Sequence, residues 1–357
     1  MASRSSTMYI NPLIEQLERK YPDGNREGIL RLDMNENPGG LPLEVVESVK
    51  SKLTPEFFST YPDKTPLINS LAKFHGISTD NIAITDGSEM ALKYIFEVFG
   101  KPGSNFVSVF PTFEMYGVYA NMYGLNHKKI DVTKDFNIDV DQLFECIDGN
   151  TSIVSLLNPN NPVGRPYTDD EFRLVAEKTK STGSLLIIDE AYHYFYEGTQ
   201  MSLLKEYDHI IVTRTFSKLF SIAACRIGYA ISSAKIIKMI NNARPTFDTN
   251  AIALLFANEL INNKELTQKL IATELEGREY LMDELDKAGY EYVYQGGNYV
   301  TIKVQTDSKT VAKRLLIEKK ISIKTSGYDI LKNYIRVTTG DVKYMELFIE
   351  ALLELDK

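Results

Sequence analysis

SLLIIDE, residues 184–190, is the clearest structural signal in this sequence of 357 residues. Two leucines and two isoleucines stand side by side before an aspartate. A short apolar run without polar alternation is typical of a strand that is buried on both faces, as in a parallel sheet covered by helices. We therefore expect Asp189 at the carboxyl end of a central strand, where its carboxylate would need a partner.

Similar runs recur on both sides of this stretch. They predict strands at NIAIT (81–85), NFVSV (105–109), TSIVSLL (151–157), SLLIIDE (184–190), HIIVT (209–213) and GYAIS (228–232). Between them lie segments with helical spacing, among them SEMALKYIFEVF (88–99) and DEFRLVAEKTK (170–180). Strands that alternate with helices predict an α/β domain with a mostly parallel sheet. Ligands of such sheets bind beyond the carboxyl ends of the strands.

The pattern changes after about residue 250. Long helical patterns over residues 251–287 precede two strand-rich stretches, 291–304 and 321–339, and a closing helix from Val342 to Leu355. This order predicts a smaller α+β domain. We expect three parts: an N-terminal segment (1–45) that contributes to the small domain, a large domain (46–250) and a small C-terminal domain (251–357).

Charge and composition exclude several classes of function. The formal net charge of −8 argues against a nucleic-acid backbone or an anionic membrane as the main partner. Four scattered histidines offer no metal-binding pair, so no metal is expected. Two distant cysteines and the lack of a long apolar segment favour a cytoplasmic protein.

The heptapeptide NPNNPVG, residues 158–164, directly follows the predicted strand at 151–157. Each proline disfavours helical geometry at the asparagine before it, which predicts a rigid loop with directed amide groups. A single Asn-Pro pair would be an ordinary turn. The doubled pair at a strand end favours a binding role for Asn161.

Lys218 lies in the stretch TRTFSKLFSIAACRIGY, residues 213–229, among hydroxyl groups. The donors nearest to it in sequence are Thr213, Thr215, Ser217 and Arg226. Such a cluster is suited to an anion, and burial beside Arg226 is expected to lower the pKa of the lysine. A neutral amine in this place could attack a carbonyl group.

Four polar residues thus follow successive predicted strands: Asn161, Asp189, Tyr192 and Lys218. Pyridoxal 5′-phosphate needs a lysine for its Schiff base and a carboxylate beside its pyridine nitrogen. It also needs donors for its 3′-oxygen and a cup for its phosphate. TDGSEMALKY, residues 85–94, predicts a helix start that could bind this phosphate, although a Gly-Ser turn alone is more often only a cap.

The sequence resembles the fold-type-I aminotransferases, and among them the histidinol-phosphate aminotransferase family. The motifs that carry the resemblance run in order along the chain: MNENPGG (34–40), FSTYPD (58–63), DGSEMA (86–91), PTFEMYG (111–117), NPNNPVG (158–164), DEAY (189–192), TFSKLFSIAACRIGY (215–229), ARPTFDTN (243–250) and YIRVTTG (334–340). The resemblance implies a large domain around a mostly parallel seven-stranded sheet, a smaller α+β domain, and a homodimer with shared active sites.

The resemblance also implies a role for each matching residue. Lys218 would bind the cofactor covalently and move a proton, and Asp189 would pair with the pyridine nitrogen. Asn161 and Tyr192 would bind the 3′-oxygen, and Phe113 would stack on the ring. The phosphate would be held by Gly87, Ser88, Glu89, Thr215, Ser217 and Arg226, with Tyr61 from a second subunit. The substrate would be bound by Arg336, Asn161, Lys324 and Asn37.

Departures from the family pattern concentrate at the substrate end. Lys324 stands where the family usually has an arginine, which keeps the charge but loses the bidentate fork. The glutamate of the common GSDE pattern is displaced, since this chain reads Gly-Ser-Glu-Met at residues 87–90. The leading hypothesis is transfer of an amino group between glutamate, or alanine, and a small anionic substrate such as histidinol phosphate.

Two alternatives stay open at this point. Decarboxylases of phosphorylated amino acids share this fold, and substrate orientation, which decides between the two reactions, cannot be read from sequence. A cofactor-binding regulator without catalysis is the other alternative. Such regulators commonly carry an added DNA-binding module, for which this acidic chain has no spare segment.

Overall fold

The computed structural model describes residues 8–18 and 26–357. Within these ranges the chain forms twelve strands and thirteen α-helices. The strands are β1 (Leu30–Leu32), β2 (Ile82–Thr85), β3 (Asn105–Phe110), β4 (Asn126–Asp131), β5 (Thr151–Leu157), β6 (Leu185–Asp189), β7 (Ile210–Thr215), β8 (Gly228–Ser232), β9 (Tyr292–Val293), β10 (Tyr299–Lys303), β11 (Ile321–Thr325) and β12 (Tyr334–Thr338).

The helices alternate with the strands up to β8 and then form longer units. They are α1 (Pro12–Glu15), α2 (Leu43–Lys50), α3 (Pro55–Ser59), α4 (Thr65–His75), α5 (Gly87–Phe99), α6 (Glu114–Met122), α7 (Val140–Cys146), α8 (Asp169–Thr182), α9 (Ala234–Asn242), α10 (Ala251–Asn262), α11 (Lys264–Lys287), α12 (Ser308–Lys319) and α13 (Val342–Leu355). No helix within the described residues is long and apolar enough to cross a membrane.

The larger sheet has seven strands in the order β2-β8-β7-β6-β5-β3-β4. Only β8 runs antiparallel to its neighbours, so the carboxyl ends of the other six strands meet at one edge. This confirms the predicted mostly parallel sheet. All five residues of β6 are buried, as expected for a strand covered by helices on both faces.

Strand β4 is absent from the sequence-based prediction. It forms the outer edge of the large sheet and pairs only with β3 within the described residues. Its sequence NHKKID is mostly exposed, with Ile130 as its buried residue. Polar edge strands resist pairing with other molecules, but they lack the apolar run by which a strand is recognised.

Helices cover both faces of the large sheet and explain its apolar composition. One face packs against α5, α6 and α9, and the other packs against α7 and α8. The boundaries of α8 follow from its sequence, since Thr168 and Glu171 form a capping box and Gly183 ends the helix in the left-handed region.

The smaller sheet has the order β1-β11-β12-β10-β9 and packs against α11, α12 and α13. Its first strand comes from the N-terminal part of the chain and pairs with β11 in parallel. Residues 1–7 and 19–25, which belong to the predicted N-terminal segment, lie outside the described residues. The helical pattern at 251–287 consists of two helices that meet at Asn263.

Two glycines allow an unusually close contact between three parts of the chain. A Cβ atom added to Gly277 in α11 would lie 1.6 Å from the backbone oxygen of Gly340. A Cβ atom added to Gly340 would lie 2.4 Å from the ring of Pro38. Helix α11, the turn before α13 and the N-terminal segment are therefore stacked with no room for a side chain.

Candidate active site

A cavity of about 930 Å³ lies at the carboxyl edge of the large sheet, between that sheet and the smaller one. Its size is within the range of small-molecule sites. Residues from β5, β6, β7, β11 and β12 line it together with the segment from Asp33 to Glu36. Most of the residues singled out in the sequence lie here: Ser88, Glu89, Phe113, Asn161, Asp189, Tyr192, Thr215, Ser217, Lys218, Arg226, Lys324 and Arg336.

Lys218 follows β7 and its ammonium group faces the cavity. Its Nζ donates a hydrogen bond to the backbone oxygen of Met34 at 2.9 Å. Burial lowers the pKa of Lys218 to about 8, helped first by the positive charge of Arg336 and less by that of Arg226. The expected depression of this pKa is therefore present, although Arg336 rather than Arg226 is the main charged neighbour.

Asp189 ends β6 as a carboxylate that is 2% exposed. Its Oδ2 accepts a hydrogen bond from the Tyr116 hydroxyl at 2.8 Å, and its Oδ1 accepts one from the backbone N–H of Ala191 at 3.2 Å. Burial raises its pKa despite these donors. In the described part of the chain no cation pairs with Asp189, so a cationic group placed in the cavity beside it would be stabilised.

Tyr192 is buried and lies at the centre of a set of hydrogen bonds. Its hydroxyl oxygen accepts one from Asn161 Nδ2 and one from Asn35 Nδ2, both at 2.9 Å. Asn161 in turn accepts a hydrogen bond from Arg336, which also donates to the backbone oxygen of Asp33 at 2.7 Å. The amide of Asn161 thus joins Tyr192 to Arg336.

The start of α5 and the loop after β7 form the wall at which we expected the phosphate. Gly87 has φ +75°, and a Cβ atom there would lie 2.9 Å from Arg226 Nη2. Only glycine fits this place, since it accepts the left-handed region and leaves room for the guanidinium. Arg226 also lies 3.5 Å from Ser217 Oγ and 3.5 Å from a carboxylate oxygen of Glu89.

Thr215, the first N–H groups of α5 and an aromatic ring complete this wall. Thr215 accepts a hydrogen bond from the backbone N–H of Ser217 at 3.1 Å. Asp86, which precedes α5, makes no capping hydrogen bond, so its side chain leaves the first N–H groups of that helix to other acceptors. Phe113 precedes α6, lines the cavity and contacts the ring of Tyr116 edge-on at 5.7 Å.

The opposite end of the cavity is more open. Lys324 of β11 is paired in register with Arg336 of β12, so both side chains lie on the same face of the small sheet. Its Nζ lies 4.0 Å from a carboxylate oxygen of Glu114, and the two side chains are 49% and 71% exposed. Tyr328 and Tyr334 line the same end.

Three predicted residues do not line this cavity: Gly87, Asn37 and Tyr61. Asn37 donates a hydrogen bond to Ser221 Oγ at 2.7 Å and holds the N-terminal segment beside the lysine loop. Tyr61 is 75% exposed and stacks on Phe247 at 4.4 Å. An exposed pair of aromatic rings outside the cavity agrees with a place for Tyr61 at a surface shared with another molecule.

Sequence reasoning missed Tyr116 and Asn35. Tyr116 is within the quoted motif PTFEMYG, three residues after Phe113, but its partner Asp189 is 73 positions away. Asn35 is within MNENPGG, and its partner Tyr192 is 157 positions away. The motifs contain both residues, but only the fold shows which side chains they contact.

Comparison with known proteins agrees with this architecture. The sequence profile described as "Aminotransferase class I and II" matches residues 27–352. A histidinol-phosphate aminotransferase of Pyrococcus furiosus is 31% identical over 327 residues, covering 90% of this chain and 91% of that protein. Its counterpart from Thermococcus gammatolerans is 30% identical over 328 residues, covering 91% and 92%.

A solved structure gives the same result for the fold. The crystal structure of histidinol-phosphate aminotransferase from Sinorhizobium meliloti, in complex with pyridoxal-5′-phosphate, matches with a TM-score of 0.87. The two sequences are 22% identical, and the match covers 99% of each chain. This likeness confirms the fold class that was expected from the sequence.

Proposed function

The chain belongs to the class I and II aminotransferases, enzymes that act with pyridoxal phosphate, and we propose that its substrate is a small phosphorylated amine. The amino group would be exchanged between glutamate, or alanine, and a substrate such as histidinol phosphate. The proposal depends mainly on one observation: Lys218 and Asp189 line the same cavity. The pKa of Lys218 is lowered and that of Asp189 is raised. Opposed shifts of this kind are typical of catalytic sites.

The residues around the cavity fit pyridoxal phosphate. Asp189 is a buried carboxylate with no cation beside it in the described residues, as a protonated pyridine nitrogen requires. The Gly87 start of α5, with Arg226, Ser217 and Thr215, presents donors suited to a phosphate. Phe113 would lie against the ring.

The cofactor supplies an electron sink that stabilises negative charge at the substrate Cα atom. The chain supplies the remaining parts of the chemistry. Lys218, with a pKa of about 8, exists partly as a neutral amine near neutral pH, so it can both attack a carbonyl and accept a proton. Asp189 would hold positive charge on the pyridine nitrogen. Arg336 lines the cavity and would orient a substrate carboxylate.

The open end of the cavity supports a substrate with an anionic tail. Lys324 is the cation that the small sheet presents there, on the same face as Arg336. Asn37 would act on the substrate only through the loop that it holds, because it bonds to Ser221. The names of the relatives favour histidinol phosphate, and they favour amino transfer over decarboxylation.

We also propose a cytoplasmic homodimer in which Tyr61 completes the phosphate site of the partner chain. The exposed stack of Tyr61 on Phe247 supports this arrangement. The division into a large domain at 46–250 and a small domain at 251–357, to which the segment 1–45 contributes, is likewise a proposal. The two sheets and the place of β1 in the smaller one support it.

The visible spectrum of the purified protein with its cofactor tests the proposed function. L-glutamate, L-alanine and histidinol phosphate are added singly, and the yellow band of the bound cofactor is followed. Loss of the band with an amino donor, and its return with a keto acid, is the expected result. Release of CO₂ with the band restored and no need for a keto acid would contradict amino transfer.

A further inference from the structure

The Tyr192 hydroxyl accepts hydrogen bonds from two amide groups that come from opposite walls of the cavity. Asn161 follows β5 in the large sheet, and Asn35 belongs to the N-terminal segment after β1. Both Nδ2 atoms lie 2.9 Å from the phenol oxygen. In the described part of the chain, this hydroxyl hydrogen has no protein acceptor.

The orientation of each amide is fixed by a different neighbour. Arg336 can only donate, so the Asn161 atom that it contacts must be the oxygen, and the NH₂ group must face Tyr192. Thr338 Oγ1 accepts from the backbone N–H of Asn35 at 3.0 Å and donates to Asn35 Oδ1 at 3.3 Å. With its Oδ1 accepting from Thr338, Asn35 directs its NH₂ group to Tyr192.

A phenol oxygen has one hydrogen to donate and two lone pairs with which to accept. Two amide donors occupy the accepting directions, so the hydrogen has to point elsewhere. Tyr192 lines the cavity, and its ring is fixed by an edge-on contact with Tyr299 at 5.3 Å. The cavity beside the ring is therefore where an acceptor for this hydrogen could lie.

We propose that Asn35 is a positioning residue, which together with Asn161 turns the Tyr192 hydroxyl hydrogen toward the ring oxygen of the cofactor. This inference rests on the proposed function, because it needs pyridoxal phosphate in the cavity. Asn35 would act through the hydrogen bond that it donates to Tyr192.

The local backbone explains why an asparagine can occupy this position. Asn35 has φ +56°, in the left-handed region that asparagine tolerates better than most residues, and it is 1% exposed. Asn298 Nδ2 donates to its backbone oxygen at 3.1 Å. Just before it in the chain, the backbone oxygen of Met34 accepts from Lys218 and that of Asp33 accepts from Arg336. The segment therefore lies against the site by backbone contacts, and Asn35 alone sends a side chain to Tyr192.

The pH dependence of the bound cofactor's visible band reports on this hydrogen bond. A hydrogen bond donated to the ring oxygen stabilises negative charge there and weakens its hold on the proton shared with the lysine nitrogen. Loss of the donor should move the spectral midpoint to higher pH, by roughly one unit for a hydrogen bond to a charged group. A residue that only supports the backbone would not move this midpoint.

Asn35→Asp is the decisive variant, because it keeps the size of the side chain but replaces the donor by an acceptor. The Tyr192 hydrogen would then be drawn to the new carboxylate. Asn35→Gly removes the amide while keeping the left-handed backbone favourable, so it should fold even if the first variant does not. We expect the largest upward shift for Asn35→Asp, a smaller one for Asn35→Gly, and weaker cofactor binding in both, measured by titration with pyridoxal phosphate.

Asn105→Asp is the matched control. Asn105 is buried at the start of β3, at the far edge of the sheet, and its amide lies 3.3 Å from Asp148. Its substitution should lower stability and leave the midpoint unchanged. If the pH midpoint of the visible band does not move in either Asn35 variant, or moves equally in the control, the inference is overturned and the proposed function is not affected. A parent protein without any visible band overturns the proposed function and this inference together.

Discussion

The two ends of the cavity are built in different ways. At the cofactor end, Asp189 and Tyr192 are buried, and each is held by at least two hydrogen bonds. At the substrate end, Lys324 and Glu114 are about half or more exposed and lie 4.0 Å apart. Buried, hydrogen-bonded groups can take few substitutions, whereas an exposed pair contributes little to stability and can change freely. Under the proposed function, the first end would fix the chemistry and the second would set the choice of substrate.

Lys218→Ala should have the largest effect, because it removes the amine that we propose attacks the cofactor and moves the proton. We expect turnover to fall at least about 10⁴-fold. The measurement is kcat/KM for the identified amino donor, with Lys264→Ala in α11 as a control far from the site. If Lys218→Ala retained turnover, the buried end of the cavity would not carry the chemistry, and the proposed contrast between the two ends would fail.

Asp189→Asn should come next, since it keeps the shape and removes the charge. The amide oxygen can still accept from the Ala191 N–H, and the new NH₂ group can donate to the Tyr116 hydroxyl, so the protein should fold. We expect kcat to fall by about 10²–10³-fold, the usual result of losing one electrostatic contact to the transition state. Tyr116→Phe serves as the comparison and should show a smaller loss, because the carboxylate remains.

The lowered pKa of Lys218 also predicts a change in stability with pH. The folded protein holds this proton with a pKa of about 8, whereas the unfolded chain holds it with the ordinary value of 10.5. The folded state therefore loses its proton first, and stability rises between these two pH values. Both proteins are compared without cofactor. Relative to Lys218→Met, the free energy of unfolding of the parent should rise by about 2 kcal/mol between pH 7 and pH 10.5, a value reduced for the partial exposure of Lys218.

Denaturant unfolding of both proteins across this pH range measures the difference. Other titrating groups are common to the two proteins and cancel. If the difference in free energy of unfolding between the two proteins stays constant with pH, Lys218 is not desolvated in the folded state. Its surroundings would then resemble those of the exposed Lys324 rather than those of the buried Asp189.

Lys324→Arg should have the smallest effect. It introduces the planar fork that suits a phosphate or carboxylate tail, so KM for a phosphorylated substrate should fall a few-fold while kcat is unchanged. Glu114→Gln tests the counter-charge and should also lower this KM, with the gain reduced at high salt. A change in kcat as large as that of Asp189→Asn would show that the substrate end is as tightly constrained as the cofactor end.

The sequence patterns predicted which residues meet at the cofactor end of the cavity, because these residues directly follow predicted strands. Asp189 ends an apolar run and Lys218 follows the next one, so their meeting at one edge follows from a parallel sheet. The strand β4 was missed because its residues are polar. Asn35 and Tyr116 were missed for a different reason, since their roles depend on contacts with residues more than 70 positions away.

The substrate end could be predicted only as a set of charges. Register pairs Lys324 with Arg336, but the approach of Glu114 from the large domain depends on how the two sheets face each other. No local pattern encodes that distance. The same limit applies to Asn161, whose amide lies between Arg336 and Tyr192.

The stacked contact of Gly277, Gly340 and Pro38 has a consequence for gene shuffling. A chimaera that takes its C-terminal third from a relative, to change substrate preference, must take a partner with glycine at both positions. A crossover near residue 263 separates Pro38 from the two glycines, so the new pairing has to be compatible from the start. Libraries aimed at the open end of the cavity should leave these three codons constant.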